Sequence, residues 1–220
     1  MLIIFDLDDT LIDTSGCITP IQLERALERM MKAGLEVSDE SEALELLKRL
    51  DQTAGSAREA LSEFLEIMDG KEEFYSLGEE VIYGDFPVDM TVLPLDDVLT
   101  SLEELKDLHK LALVTVGKKD LQLKKMEKAG IDFTLFSKII VSEDRHKKPH
   151  YQMIMEELGF MPKETIVCGD RVVIDLAPAK ELGLKTIHMR SGRGLNHHSS
   201  ESVDFAVTEF KHIKDIVAQL

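Results

Sequence analysis

The sequence predicts a three-layer α/β fold, in which a parallel sheet lies between two layers of helices and an all-helical segment interrupts the chain. Short apolar runs recur along the chain, each beside a stretch of helical periodicity, which is the pattern of strands joined by crossover helices. Between the first and second runs, residues 15–91 follow only the helical period. These two observations separate a sheet-containing core from a helical insert.

The first element is the apolar run from Leu2 to Phe5, which ends in Asp6. Such a run indicates a strand that is buried on both faces and whose carboxyl end reaches the surface. Four further runs have this character: residues 111–115, 139–142, 165–168 and 184–188. A late edge strand is predicted at residues 204–207, followed by a closing helix with the apolar face Ile213, Ile216 and Val217. Ligands of such sheets bind beyond the carboxyl ends of the strands, so the site is expected there.

Amphipathic helices are predicted in the insert, because apolar residues recur at helical spacing over residues 23–31, 44–50 and 57–68. Turn-forming residues flank the insert at residues 14–16 and 84–87. We therefore predict a Rossmann-like core of residues 1–14 and 92–220, with a helical cap of residues 15–91 between them.

Composition excludes several classes of function. The chain has 220 residues, of which 44% are hydrophobic and 31% charged, a balance typical of a globular protein. The formal net charge of -16 repels nucleic acid and anionic lipid, so neither is expected as a partner. With no long apolar segment and no leader, a cytoplasmic protein is expected. Cys17 and Cys168 are too few for a disulfide scaffold and lack the spacing of a zinc site.

The negative charge is concentrated in the predicted cap, where residues 15–91 contain 18 acidic and 7 basic residues, a net charge of -11. Residues 118–193 contain 15 basic and 11 acidic residues, a local net charge of +4. Because salt screens distant charges over about 8 to 10 Å, the loops near the expected site can accept a small dianion despite the acidic whole.

The segment Asp6-Leu7-Asp8-Asp9-Thr10 follows the first strand. In extended backbone, Asp6 and Asp8 project to the same side, and two carboxylates there favour a bound cation. Taken alone, these five residues also fit a polar turn that closes a strand.

This segment resembles the first motif of the haloacid dehalogenase-like (HAD) hydrolases, Asp-x-Asp-x-Thr, and it continues here as Leu11-Ile12-Asp13-Thr14. The other three motifs of that family are matched in order: Thr115 at the end of the second strand, Lys148 before Pro149, and Gly169-Asp170 with Asp175 five residues after Asp170. The insert resembles the helical cap of subclass I, which in relatives closes over the site and selects the substrate.

The resemblance implies a phosphatase that acts on a small phosphorylated metabolite. Asp6 is expected to attack phosphorus and form an aspartyl phosphate, which water then hydrolyses. Asp8 is expected to protonate the leaving alcohol and to deprotonate that water, with carboxylate crowding raising its pKa. Thr115 and Lys148 are expected to bind the phosphoryl oxygens. Dehalogenating members carry no acid at the position of Asp8, which favours phosphoryl transfer.

The expected metal site consists of Asp6, Asp8, Asp170 and Asp175. Four carboxylates and a dianionic substrate repel one another unless a cation compensates them. Oxygen ligands favour Mg2+, which binds through a few carboxylates together with substrate phosphate. The resemblance implies that Asp170 binds Mg2+ directly and that Asp175 acts through water.

Three other functions remain compatible with parts of this pattern. A phosphomutase on a sugar phosphate uses the same Asp6 and Asp8 but returns the phosphoryl group to the product. A receiver-like signalling module also carries Asp, Thr and Lys on a parallel sheet, although its motif order differs and it lacks a large insert. A noncatalytic scaffold is expected to have lost at least one motif, whereas all four are present here. The oligomeric state does not follow from the sequence.

Several residues near the motifs are expected to have no catalytic role. Asp9 stands where the family often has Gly, and Arg171 stands where a small residue is frequent. His146 and His150 are expected in solvated loop positions. The pair His197 and His198 is expected to be exposed rather than metal-binding, and residues 191–194 are expected to form a flexible surface turn.

Overall fold

The computed structural model describes residues 1–196 and 200–220. It divides into two compact units, one of Met1–Thr14 with Thr91–Leu220 and one of Ser15–Met90. The second unit begins at the same residue as the predicted insert and ends one residue earlier, at Met90 instead of residue 91.

The Ser15–Met90 unit is helical. Its helices are α1 (Thr19–Lys32), α2 (Glu40–Thr53), α3 (Ala57–Ile67) and α4 (Glu72–Ile82). Asp39 and Ser56 cap α2 and α3, because their side chains accept hydrogen bonds from the amides of Glu42 and Glu59. The apolar faces of the helices form one buried cluster that includes Leu27, Leu47, Leu61, Phe64 and Phe74.

Helix α4 has no counterpart among the predicted stretches, because its apolar stripe is interrupted by Gly78. That glycine is buried, and a Cβ there would lie 2.9 Å from a methyl carbon of Leu61 and 3.1 Å from the sulfur of Met30. The missing side chain lets α4 approach α1 and α3 closely. Packing therefore overrides the low helix propensity of glycine.

The other unit contains a six-stranded sheet in the order β3-β2-β1-β4-β5-β6, and every neighbouring pair is parallel. The strands are β1 (Leu2–Phe5), β2 (Lys110–Val116), β3 (Lys138–Ser142), β4 (Thr165–Gly169), β5 (Lys185–Met189) and β6 (Phe205–Val207). The helices of this unit are α5 (Val98–Leu108), α6 (Lys119–Lys128), α7 (Lys148–Leu158), α8 (Ala177–Glu181) and α9 (His212–Val217).

Helices cover the sheet on both faces. Leu2 and Ile4 of β1 share a buried cluster with Ile154 of α7 and Ala179 of α8. Successive strand residues point to opposite faces, and Phe5 packs its ring against Phe210, with centroids 5.6 Å apart, just before α9. The predicted three-layer α/β fold with a parallel sheet is confirmed.

The register of the central strands positions the site. Phe5, the last residue of β1, is level with Leu113 of β2 and Cys168 of β4. Residues that follow these three neighbouring strands therefore meet at one edge of the sheet. In the part of the chain that is described, no helix is both long enough and apolar enough to cross a membrane.

Candidate active site

Three of the expected site residues lie at the carboxyl edge of adjacent strands. Asp6 directly follows β1, Thr115 is near the end of β2, and Asp170 directly follows β4. The amide of Asp6 donates a hydrogen bond of 2.9 Å to the carbonyl of Cys168, which extends the pairing of β1 and β4 by one residue. All three side chains are buried.

Asp6, Asp170 and Asp175 form a buried carboxylate cluster, in which one oxygen of each lies within 4.8 Å of the others. A short π-helical turn, Val172–Leu176, brings Asp175 back against the end of β4. There a Cβ on Gly169 would lie 2.6 Å from Oδ2 of Asp175, so only glycine leaves room for this carboxylate. The amide of Arg171 donates to the same oxygen at 2.9 Å.

The cluster fits a divalent cation. Oδ1 of Asp170 is a buried oxygen that has no hydrogen-bond partner among the described residues. Burial, together with the charges of Asp175 and Asp6, raises the pKa of Asp170 well above its usual value. Burial likewise raises the pKa of Asp6 to about 7, although Lys147 opposes the shift. Such crowded carboxylates with an unmatched oxygen are the donor set that Mg2+ prefers.

The lysine of the site is Lys147, and the expectation of Lys148 there is wrong. The Lys147 side chain is 1% exposed, and its Nζ lies 2.6 Å from Oδ1 of Asp6 and 2.7 Å from Oδ1 of Asp175. Lys148 is 39% exposed and pairs with Glu181 on the surface at 2.7 Å. Lys147 has helical dihedral angles, so the two consecutive side chains point in directions about 100° apart and only one can face the carboxylates.

Burial disfavours the charged ammonium of Lys147, but the negative charges of Asp175 and Asp6 outweigh that effect and raise its pKa. Lys147 is therefore a fixed positive charge between two of the three clustered carboxylates.

The Asp8 carboxylate is not part of this cluster of three, and the metal-binding role expected of Asp8 stays a prediction. Its Oδ1 accepts hydrogen bonds from Thr14 at 2.5 Å and Lys125 at 2.7 Å, and its Oδ2 accepts one from Gln122 at 2.8 Å. Both oxygens are thus turned toward Thr14 and α6.

The expectation that crowding raises the pKa of Asp8 is also wrong. Burial pushes that pKa up, but Lys125, with the hydrogen bonds from Thr14 and Gln122, outweighs burial and holds the pKa of Asp8 below its ordinary value. Asp8 is therefore a carboxylate when the site holds no substrate.

Sequence reasoning missed Lys147, Gln122 and Lys125. Lys147 is one of two adjacent lysines, and the position before Pro149 favours its neighbour Lys148 as the motif residue. Gln122 and Lys125 are three residues apart on α6 and hence on one face of that helix, directly after the strand that carries Thr115. That spacing was the available signal.

The turn at residues 191–194 is packed against the first motif, which corrects the expectation of a free surface turn. The Ser191 hydroxyl donates to the carbonyl of Asp9, and a Cβ on Gly192 would clash with the Asp9 carboxylate. Asp9 is buried and has a φ of 54°, a left-handed conformation that glycine adopts more easily.

The histidines give a mixed result. His146 is exposed and His150 is half-buried, and neither belongs to the carboxylate cluster. His188 is buried, and its Nε2 lies 2.9 Å from the carbonyl of Asp170, so it supports the backbone of a cluster residue. The pair His197 and His198 lies outside the described residues.

Comparison with known proteins agrees with this arrangement. The model of the haloacid dehalogenase-like hydrolase family matches residues 3–189. The chain is 30% identical over 225 residues to a glyceraldehyde 3-phosphate phosphatase of Methanocaldococcus jannaschii, covering 99% of this chain and 97% of that protein.

Solved structures share the fold. One, from Haemophilus somnus, is described as a predicted phosphoglycolate phosphatase; it is 21% identical, with a TM-score of 0.73 and coverage of 98% and 96% of the two chains. Another, the HAD-hydrolase YfnB of Bacillus subtilis bound to magnesium, is 17% identical, with a TM-score of 0.65 and coverage of 99% and 98%. The chain belongs to the haloacid dehalogenase-like hydrolase family, among its phosphatases.

Proposed function

We propose that this chain is a Mg2+-dependent phosphatase that hydrolyses a small phosphate monoester through an aspartyl phosphate on Asp6, with glyceraldehyde 3-phosphate as the first candidate substrate. The observation that carries the proposal is the buried cluster of Asp6, Asp170 and Asp175 with Lys147 between two of its members. This candidate substrate is suggested by the name of the relative from Methanocaldococcus jannaschii, a glyceraldehyde 3-phosphate phosphatase that aligns with nearly the whole chain.

Asp6, Asp170 and Asp175 would hold Mg2+. When bound, the cation supplies positive charge that compensates the carboxylates and the substrate dianion. The unpartnered Oδ1 of Asp170 supports this assignment, because a buried carboxylate oxygen without a partner is costly in the metal-free fold.

In the first step, a carboxylate oxygen of Asp6 forms a bond to phosphorus while the bond from phosphorus to the ester oxygen breaks. The leaving oxygen takes a proton from Asp8. Thr115 donates its hydroxyl hydrogen to a phosphoryl oxygen, and Lys147 stabilises negative charge on Asp6 and on the transferred group. The products of this step are the free alcohol, Asp8 as a carboxylate and an acyl phosphate on Asp6.

In the second step, water attacks the phosphorus of the acyl phosphate and loses a proton to Asp8, which releases inorganic phosphate and restores Asp6. The lowered pKa of Asp8 describes the substrate-free site. A bound phosphate dianion adds negative charge beside Asp8 and favours its protonated form, which the first step needs.

A phosphate-release assay tests the proposal. Purified wild type is incubated with glyceraldehyde 3-phosphate, phosphoglycolate and several sugar phosphates, with Mg2+ or with EDTA, and Asp6→Asn serves as the blank. We expect release of phosphate by wild type with Mg2+ and none by Asp6→Asn. Activity that survives in Asp6→Asn overturns the mechanism, and interconversion of isomeric sugar phosphates without release assigns the mutase alternative. The family membership excludes the receiver-like module.

A further inference from the structure

A single buried side-chain amide contacts two residues of the proposed mechanism: Asp8, which moves the proton of the leaving group, and Thr115, which binds a phosphoryl oxygen. Gln122 of α6 is 2% exposed. Its Nε2 donates to Oδ2 of Asp8 at 2.8 Å and to Oγ1 of Thr115 at 2.6 Å. An amide nitrogen carries two hydrogens, so these two bonds use all of its donor capacity. The relative position of Asp8 and Thr115 is thus tied to one side chain.

The direction of these bonds is fixed by chemistry. A carboxylate only accepts hydrogen bonds, so the nitrogen of the Gln122 amide, and not its oxygen, must face Asp8. The same nitrogen then donates to Thr115, whose oxygen acts as the acceptor. The single hydroxyl hydrogen of Thr115 therefore remains available for a phosphoryl oxygen, which is the use that the proposed function requires.

The backbone beside Gln122 is shaped around its side chain. Gly117 directly follows β2 and has a φ of 150°, a region that L side chains rarely adopt. A Cβ on Gly117 would lie 3.2 Å from both Cγ and Cδ of Gln122, closer than ordinary van der Waals contact. The absence of a side chain at Gly117 therefore leaves the space in which the Gln122 amide reaches Asp8 and Thr115.

We propose that Gln122 is a positioning residue: it holds Asp8 in the orientation for proton transfer and directs the Thr115 hydroxyl toward the phosphoryl group. The inference rests on the proposed function, in which Asp8 moves the proton of the leaving group. In this role Gln122 acts through Asp8 and Thr115 rather than by binding the substrate, so its removal is expected to change kcat more than KM.

The test compares two substrates that differ in their need for a proton on the leaving group. Glyceraldehyde 3-phosphate releases an alkoxide, which requires Asp8, whereas 4-nitrophenyl phosphate releases a stable phenolate. Gln122→Met keeps the length of the side chain but removes both donors. We expect kcat for the alkyl phosphate to fall about 10- to 100-fold, with KM nearly constant. The factor by which kcat for the aryl phosphate falls is expected to be smaller by about fivefold or more.

Two other variants make the result specific. Met126→Ala on the same helix removes a fully buried apolar side chain that cannot donate a hydrogen bond to Asp8, and a purely structural loss should reduce both activities in the same proportion. Gln122→Asn retains the amide but is one methylene too short to reach both partners. It is expected to repeat the leaving-group dependence, and it replaces Gln122→Met if that variant does not fold.

Equal loss on both substrates, or no loss on either, in the folded Gln122 variants overturns the positioning role while leaving the phosphatase proposal in place. A wild type that hydrolyses neither substrate in the presence of Mg2+ overturns the proposed function and this inference with it. The two failures are therefore distinguished by the wild-type protein alone.

Discussion

At the scale of single residues, the site depends on a buried lysine that compensates two buried acids. Lys147 contacts Asp6 and Asp175 through one Nζ, and all three side chains are almost fully buried. Removing one partner of such a group leaves uncompensated charge in a poorly solvated place, which is far more costly than loss of a surface pair. The adjacent Lys148, paired with Glu181 in solvent, offers a matched comparison.

We expect Lys147→Met to lower kcat/KM for phosphate release by at least about 100-fold, because the positive charge that stabilises the transferred group is lost. Lys148→Met should retain a kcat/KM near that of wild type. Steady-state assays with Mg2+ measure both. A Lys148→Met protein that is as impaired as Lys147→Met would return the catalytic assignment to Lys148.

Asp170 is expected to link metal binding to stability. Wild type should gain free energy of unfolding with added Mg2+, by about 2.7 kcal/mol when the concentration is 100 times the dissociation constant. In Asp170→Asn the gain should vanish, whereas the metal-free variant should be at least as stable as metal-free wild type, because one crowded acid is replaced by a neutral amide. Thermal unfolding with Mg2+ and with EDTA measures both effects. Undiminished Mg2+ stabilisation in Asp170→Asn contradicts the metal assignment.

At the scale of elements, two glycines allow close approach where a side chain would prevent it. Gly169 ends β4 so that the turn bearing Asp175 can fold back against the strand. Gly78 lies inside α4, where the helix packs onto Leu61 and Met30. In both places the glycine weakens local propensity and is retained because tertiary packing gains more than propensity loses.

We expect Gly78→Leu to lower the free energy of unfolding by about 1–3 kcal/mol, because the added side chain overfills the contact between α4 and the other helices. The exposed Ser76 on the same helix provides the control, and Ser76→Leu should change stability by no more than about 0.5 kcal/mol. Urea unfolding followed by circular dichroism measures both variants. If the two substitutions have equal effects, α4 does not pack through Gly78.

At the scale of the whole molecule, the net charge of -16 is a poor guide to the site. The acidic excess belongs mainly to the helical unit, whereas the carboxylates that matter are few and buried. Their cost appears in the pH dependence of stability. A buried acid whose pKa is raised holds its proton in the folded chain at pH values at which the unfolded chain has already released it.

For Asp6 the pKa rises from its ordinary 3.8 to about 7, mainly through burial. The stability that its protonated form contributes is therefore present at low pH and is lost as the pH rises from about 4 to about 7. We expect metal-free Asp6→Asn to lose less free energy of unfolding than metal-free wild type between about pH 5 and about pH 8. Glu143→Gln, which removes one exposed carboxylate, controls for net charge. Identical pH dependence of wild type and Asp6→Asn contradicts the raised pKa.

The sequence by itself determined the fold class and the strands, because these depend on local patterns. Apolar runs mark buried strands, and parallel strands bring their carboxyl ends to one edge. The resemblance to the family's motifs predicted Asp6, Thr115 and Asp170, and the structure places all three at that edge.

Only the tertiary structure decided which of two adjacent lysines reaches the acids, because that depends on the backbone angles at the start of α7. It also decided the protonation of Asp8, since Lys125 and Gln122 are more than a hundred residues away along the chain. Helix α4 emerged in the same way, from packing around Gly78. Strand ends are fixed by local pattern, whereas charge compensation and close packing depend on neighbours that folding alone brings together.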